Sequence, residues 1–182
     1  MAIFLAFRHA AEEGVQPDEI EAACTLARII VAPVAVVISA EPLTQETGQM
    51  LAKALELPLV TEKGLGPRLI APRFATRDRF LEVAEEVWRK PNETIWGEES
   101  NTDAQARLIR ALFALLITYS ARDLILVTHG SALALLANQV NANFHFEFWS
   151  SLHALDAVAF EIAYDGAEVA LINATVYPMR RA

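Results

Sequence analysis

Short apolar segments alternate with stretches of helical periodicity along the 182 residues of the chain. Ile3 to Phe7, Val34 to Ile38 and Leu124 to Thr128 are nearly continuous in apolar residues, as in strands covered on both faces of a sheet. Between the first two, Asp18 to Ile30 carries apolar residues at helical spacing. This order predicts a largely parallel sheet with helices on both faces.

The later segments continue the pattern and end in a hairpin. Asp165-Gly166 separates two alternating segments, which is a strong hairpin signal. Further helices are predicted at Leu43 to Leu55, around Phe80 to Trp88, after the capping sequence Ser100 to Asp103, and at Ala132 to Gln139; Leu57 to Val60 is a candidate strand and Glu62 to Phe74 a surface loop. We therefore predict one domain over residues 1–182, a three-layer α/β/α sandwich with a mostly parallel sheet and a late antiparallel hairpin.

Composition excludes several classes of protein. The net charge of −8 argues against general affinity for nucleic acid. No apolar run reaches the roughly 20 residues of a membrane-spanning helix, and no secretory signal is visible, so we expect a cytoplasmic protein without a membrane partner. Cys24 is the sole cysteine, which excludes an internal disulfide and favours a packed core thiol over a metal ligand.

Polar groups follow three of the predicted strands, where parallel sheets form their ligand crevices. Arg8 and His9 follow the first strand, Ser39 to Thr47 follows the second, and His129-Gly130 follows Thr128. A neutral imidazole is a nucleophile, and a guanidinium offers a planar fork of donors to phosphate oxygens. Gly130 at a helix start would let an anion approach the backbone. The pattern predicts phosphoryl transfer through His9.

Motifs at these junctions resemble those of the histidine phosphatase superfamily, also called the phosphoglycerate-mutase-like family. They are "FRHA", "ISAEPLTQETGQMLAKAL", "WGEES", "VTHGSALALL" and "INATVYP". The resemblance implies the three-layer fold and a reaction in which His9 attacks a phosphomonoester while Arg8 and His129 hold the phosphoryl group. It implies no metal and no organic cofactor. The short chain favours hydrolysis over mutase transfer.

The chain departs from the family pattern at three places. Where the family has a second arginine, this chain offers Thr44 or Gln45, with Glu41 nearby; where many members have an acid glutamate, it has Pro67 or Arg68; and Ala10 replaces the usual glycine. The expected substrate-binding set is Arg8, His9, His129, Gly130, Thr44, Gln45 and Arg68. Arg68, Arg73 and Arg77 are candidate replacement cations, and Glu98, Glu99 and Glu12 are candidate acids. We expect Arg68 to be an exposed loop cation, and Glu98 and Glu99 to be a solvated pair or helix-start charges that suit the helix dipole. We expect His145 and His153 to belong to a packed aromatic segment, with an aromatic-lined substrate rim as the alternative.

Three functions remain open at this point. The first is hydrolysis of a small phosphomonoester. The second is binding of a phosphorylated ligand or a protein partner without turnover, which the departures favour. The third is dephosphorylation of phosphohistidine proteins, because small family members without the acid glutamate can act on a phosphoramidate. The aromatic run Phe144 to Trp149 could cover a homodimer interface as well as a core.

Overall fold

The computed structural model describes residues 1–10, 14–71, 74, 76–166 and 168–179. Six strands lie in these ranges: β1 (Ala2–Arg8), β2 (Val36–Ile38), β3 (Leu59–Thr61), β4 (Leu124–Thr128), β5 (Ala157–Tyr164) and β6 (Val169–Tyr177). The same ranges hold six α-helices: α1 (Pro17–Ile30), α2 (Gln45–Leu55), α3 (Arg77–Arg89), α4 (Asn101–Thr118), α5 (Gly130–Val140) and α6 (Phe146–Ser151). Two short 3-10 turns complete them: Pro42–Thr44 and Lys63–Leu65.

The strands form one mixed sheet in the order β3-β2-β4-β1-β5-β6. Strands β3, β2, β4 and β1 run parallel to one another. Strand β5 pairs antiparallel with β1, and β6 pairs antiparallel with β5. Alternate residues of β1 enter two apolar clusters: Phe4 and Ala6 pack with residues of α4 and α5, and Leu5 and Phe7 pack with residues of α1 and α2. Helices thus cover both faces, which confirms the predicted three-layer α/β/α architecture.

Strand register brings the three predicted junctions to one edge of the sheet. Arg8 at the end of β1 lies opposite Thr128 at the end of β4. Ile38 at the end of β2 lies opposite Val127. Because these strands are parallel, the residues that follow them emerge side by side.

The hairpin predicted at Asp165-Gly166 joins β5 to β6. Gly166 has φ of 98°, a left-handed conformation that glycine adopts without steric cost. The amide of Glu168 donates to the Asp165 carboxylate at 2.9 Å. The hairpin prediction is confirmed.

Several boundaries differ from the sequence prediction. Helix α2 begins at Gln45 because Pro42 first opens a 3-10 turn. Helix α6 was not predicted, since six residues are too few to show a helical period. Phe148 and Trp149 of α6 pack against the core, but His145 and His153 are exposed, so their assignment to a packed segment is wrong.

The structure bears on two further expectations, one about Cys24 and one about membrane-spanning helices. Cys24 is a buried free thiol in the cluster beneath α1, as predicted. No helix in the described part of the chain is long and apolar enough to cross a bilayer.

Candidate active site

His9 and His129 lie together at the carboxyl edge of the sheet. Each directly follows the last residue of its strand, and the His9 amide donates to the Thr128 carbonyl at 2.9 Å. The centroids of the two imidazole rings are 5.0 Å apart, with 64° between the ring planes. Two residues separated by 120 positions in sequence therefore form one site.

A backbone contact orients the ring of His9. Its Nδ1 lies 2.6 Å from the carbonyl oxygen of Ala10. A carbonyl only accepts hydrogen bonds, so Nδ1 carries a proton, and in the neutral ring the lone pair lies on Nε2. The amide of Ala10 in turn donates to Thr47 Oγ1 at 3.1 Å, which ties this segment to α2. His9 is thus held in the tautomer that a nucleophile at Nε2 requires.

His129 is buried and neutral. Only 5% of the residue is exposed, and its Nε2 lies 2.8 Å from Ser39 Oγ. The pKa of His129 is lowered from 6.5 to about 3, chiefly by burial and in addition by positive charge on His9, Arg8 and Arg107. The site therefore holds an uncharged imidazole beside cations at neutral pH.

Arg8 stands next to both histidines and is itself partly desolvated. Its Nη1 donates to the Leu152 carbonyl, and its Nε lies 3.6 Å from the point where a Cβ on Gly130 would stand. Burial lowers the pKa of Arg8, the carboxylate of Asp156 raises it, and Arg77 lowers it. An arginine stays charged despite such a shift, so Arg8 is a fixed cation at this edge.

Two cavities lined by described residues meet at the site, and the first is charged. It has a volume of about 330 Å³, and two arginines, Arg8 and Arg77, face it together with His9. The other lining residues are Phe80, Leu81, Gly130, Trp149, Ser150 and Leu152. Arg77 is the first residue of α3 and Gly130 the first of α5, so two helix N-termini also contribute positive potential here.

The second cavity adjoins the first across His9. It has a volume of about 300 Å³ and is lined mainly by apolar side chains. Its lining residues are His9, Leu43, Pro67, Arg68, Leu69, Ile70, Phe80, Val87, Trp88, Asn101, His129, Gly130, Ser131, Leu135 and Trp149. His9, Phe80, Gly130 and Trp149 belong to both cavities.

The structure corrects the expectation for Thr44 and Gln45. Thr44 is completely buried, and its hydroxyl donates to the backbone carbonyls of Ser39 and Glu41 at 3.1 and 2.9 Å. Gln45 begins α2, and neither residue lines the two cavities described above. Glu41 does not line these two cavities either. Ser39 begins the second predicted junction but was not among the predicted binding residues, yet its Oγ lies 2.8 Å from His129 Nε2.

Arg68 also differs from its expected position. It is only 5% exposed, not an open loop cation. Its Nη1 donates to the carbonyls of Leu69 and Trp96 at 2.9 and 3.2 Å, and its Nη2 donates to Ile95 O at 2.5 Å. These bonds hold two loops together, so the guanidinium has a structural role and is a poor replacement phosphate ligand.

The candidate acids are not brought to the histidines. Glu98 is exposed, as expected, and lines neither cavity. Glu99 is only partly solvated, with 27% of its side chain exposed, and it forms an ion pair with Arg107 at 2.6 Å. Glu12 and Arg73 lie outside the described residues. No carboxylate occurs among the described residues that line the two cavities, and no group of three metal-ligating side chains converges in the described ranges.

Comparisons with known proteins bear on the family and the fold of the chain. The family model of the histidine phosphatase superfamily (branch 1) matches residues 17–175, a range that begins after His9. A search of curated protein sequences found no match.

Solved structures give the same fold at low sequence identity. YhfR from Bacillus stearothermophilus is 16% identical, with 94% of this chain and 95% of that chain covered and a TM-score of 0.67. Mycobacterial glucosyl-3-phosphoglycerate phosphatase is 17% identical, with 97% of each chain covered and a TM-score of 0.70. Phosphoserine phosphatase from Entamoeba histolytica is 11% identical, with 96% of each chain covered and a TM-score of 0.69. The family model spans most of the sequence, so the chain belongs to the histidine phosphatase superfamily, branch 1.

Proposed function

We propose that the protein hydrolyses phosphate monoesters through a phosphohistidine on His9. The observation that carries the proposal is the 2.6 Å contact of His9 Nδ1 with the Ala10 carbonyl, which directs the lone pair of a neutral ring to Nε2. Several of the structural neighbours named above are phosphatases, which supports the same reaction class.

The reaction has two steps. Nε2 of His9 attacks phosphorus, the bond from phosphorus to the ester oxygen breaks, and that oxygen leaves with both electrons and gains a proton from solvent. Water then attacks the phosphohistidine, which releases inorganic phosphate and restores the imidazole. Arg8 and His129 bind the phosphoryl oxygens and stabilise the charge of both transition states.

Arg77 supplies the second cation that the sequence lacks at Thr44 and Gln45. Its support is position: it lines the charged cavity with Arg8 and His9, and it is near enough to lower the pKa of Arg8, after the larger effects of burial and Asp156. Its exposed side chain at the start of α3 is free to move towards a bound phosphate.

The roles of His9 and Arg77 are tested by hydrolysis of an aryl phosphate between about pH 5 and 8. His9→Ala should abolish turnover, whereas His153→Ala, which truncates an exposed histidine, should not. Arg77→Ala should lower kcat/KM by about ten- to a hundredfold, since a hydrogen bond to a charged group contributes about 1.5–3 kcal/mol. Arg77→Lys should recover part of the loss.

Arg79 provides the matched control, because it lies on the same helix and pairs with Glu82 at 2.8 Å away from both cavities. Arg79→Ala should keep nearly full activity. Equal losses of kcat/KM in the Arg77 and Arg79 variants would show that Arg77 does not bind the substrate. Unchanged activity of His9→Ala would show that His9 is not the nucleophile.

The second candidate is binding of a phosphorylated ligand without turnover. The lack of a carboxylate among the described lining residues favours it. It predicts that the wild-type protein binds phosphate and that His9→Ala, Arg8→Ala and wild type are equally inert. Hydrolysis of a phosphohistidine peptide but of no phosphate ester would instead support the phosphohistidine-protein phosphatase.

A further inference from the structure

The apolar cavity beside His9 also borders His129, but most of its lining carries no charge that could hold a phosphate. Its lining is dominated by aliphatic and aromatic side chains from the loop at 67–70, from α3 and from α5. It shares His9 with the charged cavity, so a phosphoryl group held by Arg8 and Arg77 has this apolar space as its neighbour. A substrate that fills both spaces carries an apolar group on its phosphate.

Two aromatic rings form the boundary between the cavities. Phe80 of α3 and Trp149 of α6 line both spaces, and their ring centroids are 5.9 Å apart. Both residues are half-buried. A further ring supports each one, with Phe74 at 6.4 Å from Phe80 and Phe146 at 5.8 Å from Trp149. Such a wall favours an aromatic ligand through offset or edge-to-face contacts.

The chemistry of the leaving group points the same way. No carboxylate lines either cavity within the described ranges, so the departing oxygen finds no acid among these lining residues. A phenol has a pKa of about 10, as in tyrosine, whereas an aliphatic alcohol resembles water and is a far weaker acid. A phenolate therefore leaves with little need for protonation, and an alkoxide does not.

We propose that this second cavity binds the leaving group and that the substrates are phosphate monoesters of phenols, with Phe80 and Trp149 as specificity-determining residues. The inference deepens the proposed function and rests on it for turnover. Its binding component stands independently, because an aryl group fits the cavity whether or not the ester is cleaved.

Binding is measured by calorimetry with two phosphonates that share a head group and cannot be hydrolysed. Phenylphosphonate should bind about tenfold more tightly than methylphosphonate. Phe80→Leu and Trp149→Leu, on different helices, should each reduce this preference several-fold. Phe148→Leu is the matched control, since Phe148 lies on α6 next to Trp149 but lines neither cavity. Equal binding of the two phosphonates by wild type would overturn the inference.

Turnover is measured with phenyl phosphate and acetyl phosphate, a small acyl phosphate whose leaving group also needs no acid. The Phe80 and Trp149 variants should lose about tenfold more in kcat/KM for phenyl phosphate than for acetyl phosphate. Equal losses on both would overturn the specificity role. If neither substrate is cleaved while phenylphosphonate keeps its advantage, the proposed function fails and the aryl subsite stands.

The same assay separates two sources of an aryl phosphate. A phosphotyrosine peptide cleaved at least as fast as phenyl phosphate identifies a protein source, and a reaction confined to the small ester identifies a phenolic metabolite. A phosphoserine peptide cleaved faster than either would contradict the phenol assignment.

Discussion

Replacing His129 should change how the stability of the protein depends on pH. The pKa of His129 is about 3 in the folded protein, chiefly because of burial, against 6.5 in the unfolded chain. Between these values the unfolded chain binds more protons, so stability is complete above pH 6.5 and is lost as the pH falls towards 3. The full effect of the shift is about 5 kcal/mol, of which about 2 kcal/mol is lost by pH 5.

Urea unfolding of wild type and His129→Gln at pH 7.5 and pH 5 measures this contribution. Glutamine keeps a polar atom near Ser39 and cannot titrate. The wild type should lose about 2 kcal/mol more than the variant between the two pH values, since the variant lacks the imidazole of His129. Equal losses in the two proteins would refute the burial argument for His129.

Three further outcomes follow from the site. Gly130→Ala should preserve or raise the melting temperature, because alanine favours a helix by about 0.5–1 kcal/mol over glycine. The added methyl group would lie 3.6 Å from Arg8 Nε and 3.7 Å from Trp149 Nε1, so the same substitution should lower the affinity for phosphate, measured by calorimetry. Thr47→Val should cost about 1–3 kcal/mol in urea unfolding by leaving the buried Ala10 amide without its acceptor, and should also lower kcat. Phosphate binding at pH 7 should take up protons in wild type and fewer in His129→Gln, seen by calorimetry in two buffers, because a bound anion raises the pKa of the imidazole.

The central part of the site was predictable from sequence because it depends on strands. Arg8, His9 and His129 follow apolar runs whose parallel pairing fixes where the next side chains emerge. Ser39 follows β2 in the same way and begins the second predicted junction, but its contact with the imidazole of His129 is a tertiary contact that the sequence does not encode.

The rest of the site depends on tertiary contacts that no periodicity encodes. Thr44 turned inward because its hydroxyl satisfies carbonyls of the turn that Pro42 opens. Arg68 became buried because carbonyls at 95–96, nearly thirty residues away, accept from its guanidinium. Arg77, Phe80 and Trp149 line the cavity at His9 because α3 and α6 pass over this edge of the sheet. The local sequence does not specify that path.

The most direct test of the account is the chemical state of His9 during turnover. Wild-type protein mixed with excess aryl phosphate and quenched in alkali, where phosphohistidine survives, should carry up to one phosphate per chain, mapped to His9 by peptide mass spectrometry. Turnover without any phosphoenzyme, or phosphate on another residue, would contradict the proposed nucleophile.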